Sequence, residues 1–189
     1  MNPNLTAIIL CVTALAATPA HAADEILDAM DQARKAYQSG DMANAKQSLD
    51  LASQLIGQKN AEAYSAALPA PLAGWKAEKA QTTAVGSVGF GASQASRSYS
   101  NGKGQNVEIQ ITGDSAMVAQ FAAMMANPQI AGAMGKIVRV GNQRGIQNPD
   151  GDVHMVVANK VMIVVSGSAD AAAKLSYAQA VNVAKLPKM

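Results

Sequence analysis

The chain has 189 residues, with 15 basic and 13 acidic side chains, a formal net charge of +2, one cysteine and two histidines. A charge that small leaves no electrostatic footprint for nucleic acid. A single cysteine excludes an intrachain disulfide and any multi-thiolate metal site.

Met1–Ala22 reads as a cleavable secretory signal. Leu5–Ala17 is an apolar run too short to span a bilayer, and Ala20-His21-Ala22 ends it in a small-x-small cleavage site. Cys11 follows Leu10 where a lipoprotein signal needs a small residue, so a lipid anchor is not expected. Cleavage removes Cys11 and His21 and leaves about 167 residues, enough for one ordinary core. No later segment is long and apolar enough to cross a membrane, so the expected location is periplasmic.

Residues 23–68 read as a helical hairpin. Ile26, Leu27, Met30, Ala33 and Tyr37 recur at helical spacing, as do Ala45, Leu49, Ala52 and Ile56. Ser39-Gly40-Asp41 separates the two stripes. Glycine suits the end of the first helix and Asp41 the cap of the second. Ala33, Tyr37, Gly40-Asp41, Ala45, Leu49 and Ala52 resemble one tetratricopeptide unit, present once. The resemblance implies a hairpin that packs on the rest of the chain or on a partner, since one unit cannot bury its own face.

Residues 69–75 form a linker in which Pro69 and Pro71 forbid helix and favour an extended path. Trp75, the only tryptophan, is expected to anchor it. Prolines followed by Gly74-Trp75 and then by strands resemble the start of the small α/β sandwiches of PsbP and Mog1 proteins. The whole pattern resembles an uncharacterised group of secreted proteobacterial proteins, a likeness that implies no particular activity.

Residues 76–189 read as an α+β domain. Gln81–Ser93, with Gly86, Gly89 and Gly91, holds either a strand or a loop. Ser96–Ser100 is a predicted strand, Asn101–Gly104 a turn, and Val107, Ile109 and Ile111 alternate with polar residues as in a half-buried strand. Asp114-Ser115 predicts the cap of a helix with the stripe Met117, Val118, Phe121, Met124 and Met125, ended by Asn127-Pro128. Gln129–Gly135 is expected as an apolar loop. Lys136–Val140 and Arg144–Gln147 predict two further strands, and Asn148–Gly151 a turn. Val153–Gly167 predicts a hairpin turning at Asn159-Lys160, its second strand, Val161–Val165, apolar on both faces. Ala169–Lys185 predicts a last helix. The short links favour antiparallel pairing, with one sheet and helices against it.

No catalytic constellation stands out. His154 has no second histidine or cysteine left in the processed chain, and a nucleophilic triad or zinc site needs such partners. Asn148–Asp152 lacks the ligand series of a calcium loop. Gly86, Gly89 and Gly91 lack the Lys-Ser/Thr of a phosphate cradle. Arg97 and Arg144 are candidates for holding an anion. Met117, Met124, Met125, Met134, Met155 and Met162 read first as core. A second reading makes them a soft-metal or apolar-ligand surface. No cofactor and no metal ligand set is expected. The expected function is therefore a non-enzymatic, soluble periplasmic protein that binds another envelope protein, as an accessory, inhibitor or immunity factor. Tyr37 on the hairpin, and Met124, Met125, Ile130 and Met134, are the candidate partner-binding residues. The alternative is a small apolar-ligand or soft-metal binder with a methionine-lined surface.

Overall fold

The computed structural model describes residues 24–84, 92–113 and 115–188. The secretory-signal segment, the glycines 86, 89 and 91, and Asp114 lie outside them.

Two antiparallel helices open the described chain, α1 (Asp24–Gln38) and α2 (Met42–Ala67). The turn follows from two residues. Gly40 takes φ +80°, a left-handed conformation that costs glycine nothing. Asp41 then caps α2 by accepting the Asn44 backbone N–H at 3.1 Å. α2 is 26 residues long against 15 for α1, so it overshoots its partner. The overshoot enters the sheet domain, where Tyr64 and Ala67 are fully buried and the Gly57 carbonyl accepts from the Ser93 hydroxyl at 3.0 Å.

The rest is the expected α+β arrangement. Eight strands are seen among the described residues: β1 (Trp75–Ala77), β2 (Gln81–Thr83), β3 (Ser93–Asn101), β4 (Asn106–Gly113), β5 (Lys136–Val140), β6 (Gln143–Gln147), β7 (Val153–Val157) and β8 (Val161–Ser166). They form one antiparallel sheet in the order β1-β3-β4-β8-β7-β6-β5, with β2 also paired to β3. β1 and β2 extend the edge beyond what the linker and glycine-rich readings anticipated.

One face of this sheet is the core. Tyr99, Val107, Ile109, Ile111, Val153, Met155, Ile163 and Val165 are all completely buried. Against them pack the C-terminal end of α2 and α5 (Ala171–Ala180). Alternation along each strand produces this division, since successive side chains point to opposite faces. β8 departs from expectation here. Val161, Ile163 and Val165 are buried, but Met162 and Val164 on the other face are only half-buried. The reason lies next door, because β4 presents Glu108, Gln110 and Thr112 on that face.

On the second face sit α3 (Ala116–Ala126) and α4 (Pro128–Met134). Ser115 caps α3 by accepting from the Met117 N–H. Gln129–Gly135, expected as a loop, is instead the helix α4. Asn127 both ends α3 and caps α4, accepting from the Gln129 N–H at 3.0 Å, and Pro128 occupies the first helical position. That pairing of Asn and Pro is a start signal as much as a stop signal. Met125, Ala131 and Ile146 form a small buried cluster there with Phe121, Met134 and Val156.

The last helix is shorter than expected. α5 ends at Ala180, Val181 is extended, and the Asn182 N–H donates to the Ala67 carbonyl at the end of α2. Only a short 3-10 turn, Val183–Lys185, follows. The end of one helix is thus satisfied by the departure of the other.

The proline linker is fastened by aromatic hydroxyls. Tyr99 donates to the Pro69 carbonyl at 2.8 Å, and the Tyr177 hydroxyl accepts from the Leu72 N–H. Burial pushes the Tyr99 phenol up to about 12 against the opposing Arg97 charge, so it remains a donor at any physiological pH. Trp75 packs edge-on against Tyr177 at 5.3 Å between ring centres.

Candidate functional site

The seam between α1 and α2 is made of alanine. Ala29 and Ala33 meet Ala45 and Ala52, all nearly excluded from water. Alanine pays no side-chain entropy in a helix and lets two helices approach closely. A consequence follows for the large residues at the neighbouring helical positions. Met30 and Tyr37 on α1, and Met42, Leu49 and Ile56 on α2, are each between 39% and 66% exposed.

Their spacing places them together. Met42, Leu49 and Ile56 are seven residues apart, as are Met30 and Tyr37, so each set runs along one side of its helix. Both sets lie on the same side of the alanine seam. Tyr37 and Met42 stand beside the turn, Met30 and Leu49 farther down, and Ile56 toward the base. The clefts of the hairpin open on other sides. One is lined by Gln32, Asn44, Gln47, Asp50 and Gln54 together with Ala36 and Leu51, the other by Glu25, Gln58, Lys59 and Glu62 together with Ile26 and Leu55. The hairpin thus carries clefts of mixed character and one open face on which the large residues are apolar. Of the twelve large apolar residues that are exposed among the described residues, seven lie on α1 and α2.

Charge divides along the same boundary. Residues 24–67 carry seven acidic and four basic side chains, a net −3, whereas residues 68–189 carry six acidic and eleven basic, a net +5.

The expected binding residues distribute as follows. Tyr37 is the most exposed member of the hairpin face. Met124 and Ile130 are exposed on α3 and α4, but Met125 is buried and Met134 half-buried beneath them. The four therefore do not form one continuous surface, and Tyr37 stands on a separate element. Leu49, at the centre of the hairpin face, belongs to the apolar stripe the sequence predicts, whereas its neighbour Met42 lies outside that stripe. The available signal was the alternation of large residues with alanine at three- and four-residue steps.

The other candidates resolve into packing. His154 is half-buried on the second sheet face, 6.0 Å from the Phe121 ring centre. Burial lowers its pKa below the ordinary imidazole value, and the Asp152 carboxylate partly opposes this. Met155 and Met162 lie on opposite faces, because Met155 pairs with Ile163 and Met162 with Val156. Arg97 donates to the Pro69 carbonyl and Arg144 to the Met125 carbonyl, again on opposite faces of the sheet. The Arg97 Nε is buried without a hydrogen-bond partner. At Asn148–Asp152, the ammonium of Lys174 occupies the turn. It donates to the Asp150 carbonyl at 2.8 Å and to the Asp152 carboxylate at 2.6 Å. Lys174 is itself buried, a role not anticipated from its position among alanines in α5. Among the described residues, no group of three or more His, Cys, Asp or Glu side chains is placed to hold a metal ion, and no helix is long and apolar enough to cross a membrane.

No protein-family model matches the chain, and comparison with curated proteins and with solved structures finds no match, so the functional reading rests on the arrangement of the chain's own residues.

Proposed function

We propose that this chain is a non-enzymatic, exported, soluble protein that works by binding another envelope protein through the open apolar face of its N-terminal helical hairpin. The observation that carries the reading is the exposure of Met30, Tyr37, Met42, Leu49 and Ile56 along that face. Together their exposed fractions amount to more than two whole large residues. A patch of that order falls within the ~300–600 Å² seen for the largest apolar patch on a typical monomer, a size that is often functional. The likeness of the hairpin to one tetratricopeptide unit supports the same reading, as does the clamped linker, which presents the hairpin on a fixed base. An accessory, inhibitor or immunity role is compatible with such a surface.

The test is recovery of partners from a periplasmic extract by the intact protein and by a Tyr37→Asp/Met42→Asp/Leu49→Asp variant. Deleting the hairpin is the poorer experiment, because α2 also supplies Tyr64 and Ala67 to the core. The variant should keep its circular dichroism spectrum and lose its partner. Equal recovery by both proteins removes the hairpin from the account.

A further inference from the structure

We infer that the occupant of this apolar face is one amphipathic helix of the partner protein, carrying acidic residues along the flanks of its apolar stripe. The inference rests on the binding role proposed for the hairpin and adds the chemistry of what binds.

The first argument is the pattern of apolar residues. Ile26, Met30, Ala33 and Tyr37 on α1 step by four, three and four, and Met42, Ala45, Leu49, Ala52 and Ile56 on α2 step by three and four throughout. Such a stripe belongs to a helix with more than one helical neighbour. Within the hairpin only the alanine half of each stripe is used. The large half runs as two rows along one side of the seam, exposed to solvent, and the groove between two packed helices is where the ridge of a third seats. From Met42 to Ile56 the groove is about 21 Å long at 1.5 Å per residue, so a partner helix of about three to four turns fills it.

The second argument is charge. Although the hairpin is net negative, the charged residues that flank its apolar face are basic, beside the uncharged Leu27 and Ser53. Arg34 lies four residues after Met30 and three before Tyr37, and Lys46 four after Met42 and three before Leu49. One cation therefore borders the groove on each helix. Their present partners, Asp31 and Asp50, form exposed pairs at 3.0 and 2.9 Å along the outer sides of the helices. Exposed pairs of this kind contribute little, so both cations are free to turn to a better acceptor. Glu25, Asp50 and Glu62 line the clefts rather than the groove. A second copy meeting face to face brings cations to the same borders. An anionic lipid surface extends past the two cations to the rest of the hairpin, whose net charge is −3. A helix with acidic flanks satisfies both the groove and its borders.

The experiment uses two fluorescein-labelled, hydrocarbon-stapled three-turn peptides with the same leucine stripe, one with Glu flanks and one with Lys flanks. Binding to the full processed protein is followed by fluorescence anisotropy at low and moderate salt. The Glu-flanked peptide should bind at least tenfold tighter and lose that advantage in salt. An Arg34→Glu/Lys46→Glu variant should reverse the preference, and Leu49→Asp should abolish binding of both. Equal binding of both peptides, dependent on Leu49, overturns the acidic partner but leaves the apolar face as a binding site. Failure of both peptides, together with equal partner recovery by the triple variant, overturns both. Self-association in sedimentation equilibrium that Leu49→Asp abolishes assigns the face to a second copy. Leu49-dependent binding to phosphatidylglycerol vesicles assigns it to lipid. Either of these overturns the inference.

Discussion

Ala52→Leu and Leu49→Ala reverse the usual expectation for an amphipathic helix. Ala52 is 3% exposed in the seam with α1, whereas Leu49, three residues earlier, is 57% exposed. Leucine at 52 adds three carbons where two helices meet through alanine. Overpacking of that kind typically costs about 1–3 kcal/mol. Truncating Leu49 removes a side chain that is more than half in water. Complete burial of a leucine is worth about 1.5–3 kcal/mol, so its partial burial accounts for at most about 1.3 kcal/mol. The better helix propensity of alanine returns a few tenths of that, about 0.2 kcal/mol. Thermal unfolding followed by circular dichroism separates the two outcomes. At about 2–4 °C per kcal/mol for a chain of this size, Ala52→Leu should lower Tm by about 2–12 °C, and Leu49→Ala by no more than about 4 °C. The same Leu49→Ala protein should lose partner recovery. A Leu49→Ala loss equal to that of Ala52→Leu would show that the outer face is already covered, and the reasoning would fail.

Three further predictions concern the sheet domain. Asp152→Ala strands the buried Lys174 ammonium and should cost about 3 kcal/mol in urea unfolding, whereas Lys174→Met, which leaves the partly exposed Asp152 to water, should cost much less. If Lys174→Met is the worse of the two, the ammonium is not the group that requires compensation. Gly113→Ala places a methyl group on the Tyr64 hydroxyl, so thermal unfolding should shift down as for an overpacked core, and Gly113→Ala/Tyr64→Phe should recover part of the loss. The His154 pKa is lower in the folded than in the unfolded chain, so the unfolded chain binds the proton more readily. Its contribution is complete above about pH 6.5 and is lost as pH falls from there toward the folded value. His154→Gln should therefore flatten the Tm-against-pH curve below about pH 6.5. An unchanged slope would place the acid sensitivity elsewhere.

Much of the fold was readable from local chemistry. Gly40-Asp41 marks the helical turn, and Val107-Glu108-Ile109-Gln110-Ile111 declares a strand with one wet face. The parts that were not readable share a cause, which is that tertiary contacts decide them. β1 and β2 are three residues each and exist because β3 offers its edge. α5 stops at Ala180 because the Ala67 carbonyl takes the Asn182 N–H, a contact 115 residues distant. α4 was hidden by Gly132 within it and Gly135 at its end, although Asn127-Pro128 announced it. The candidate surface was half legible. Tyr37 was identified from the hairpin pattern, but periodicity shows only that apolar residues share a side of a helix. It does not show which of them meet the neighbour, and here the small residues do. Met125 and Met134 illustrate the converse, because α3 and α4 fold them toward Ile146.

The most direct measurement places a photoreactive phenylalanine analogue at Leu49, and separately at Gln54 in the cleft on the other side of the hairpin, in the full chain during export in living cells. Mass spectrometry of the cross-linked peptides then identifies what each position touches. The account predicts a protein adduct at Leu49, to a segment with helical apolar spacing and acidic flanks, that disappears when Tyr37 and Met42 are also changed to Asp. Equal adducts at both positions, or none at Leu49, would contradict it.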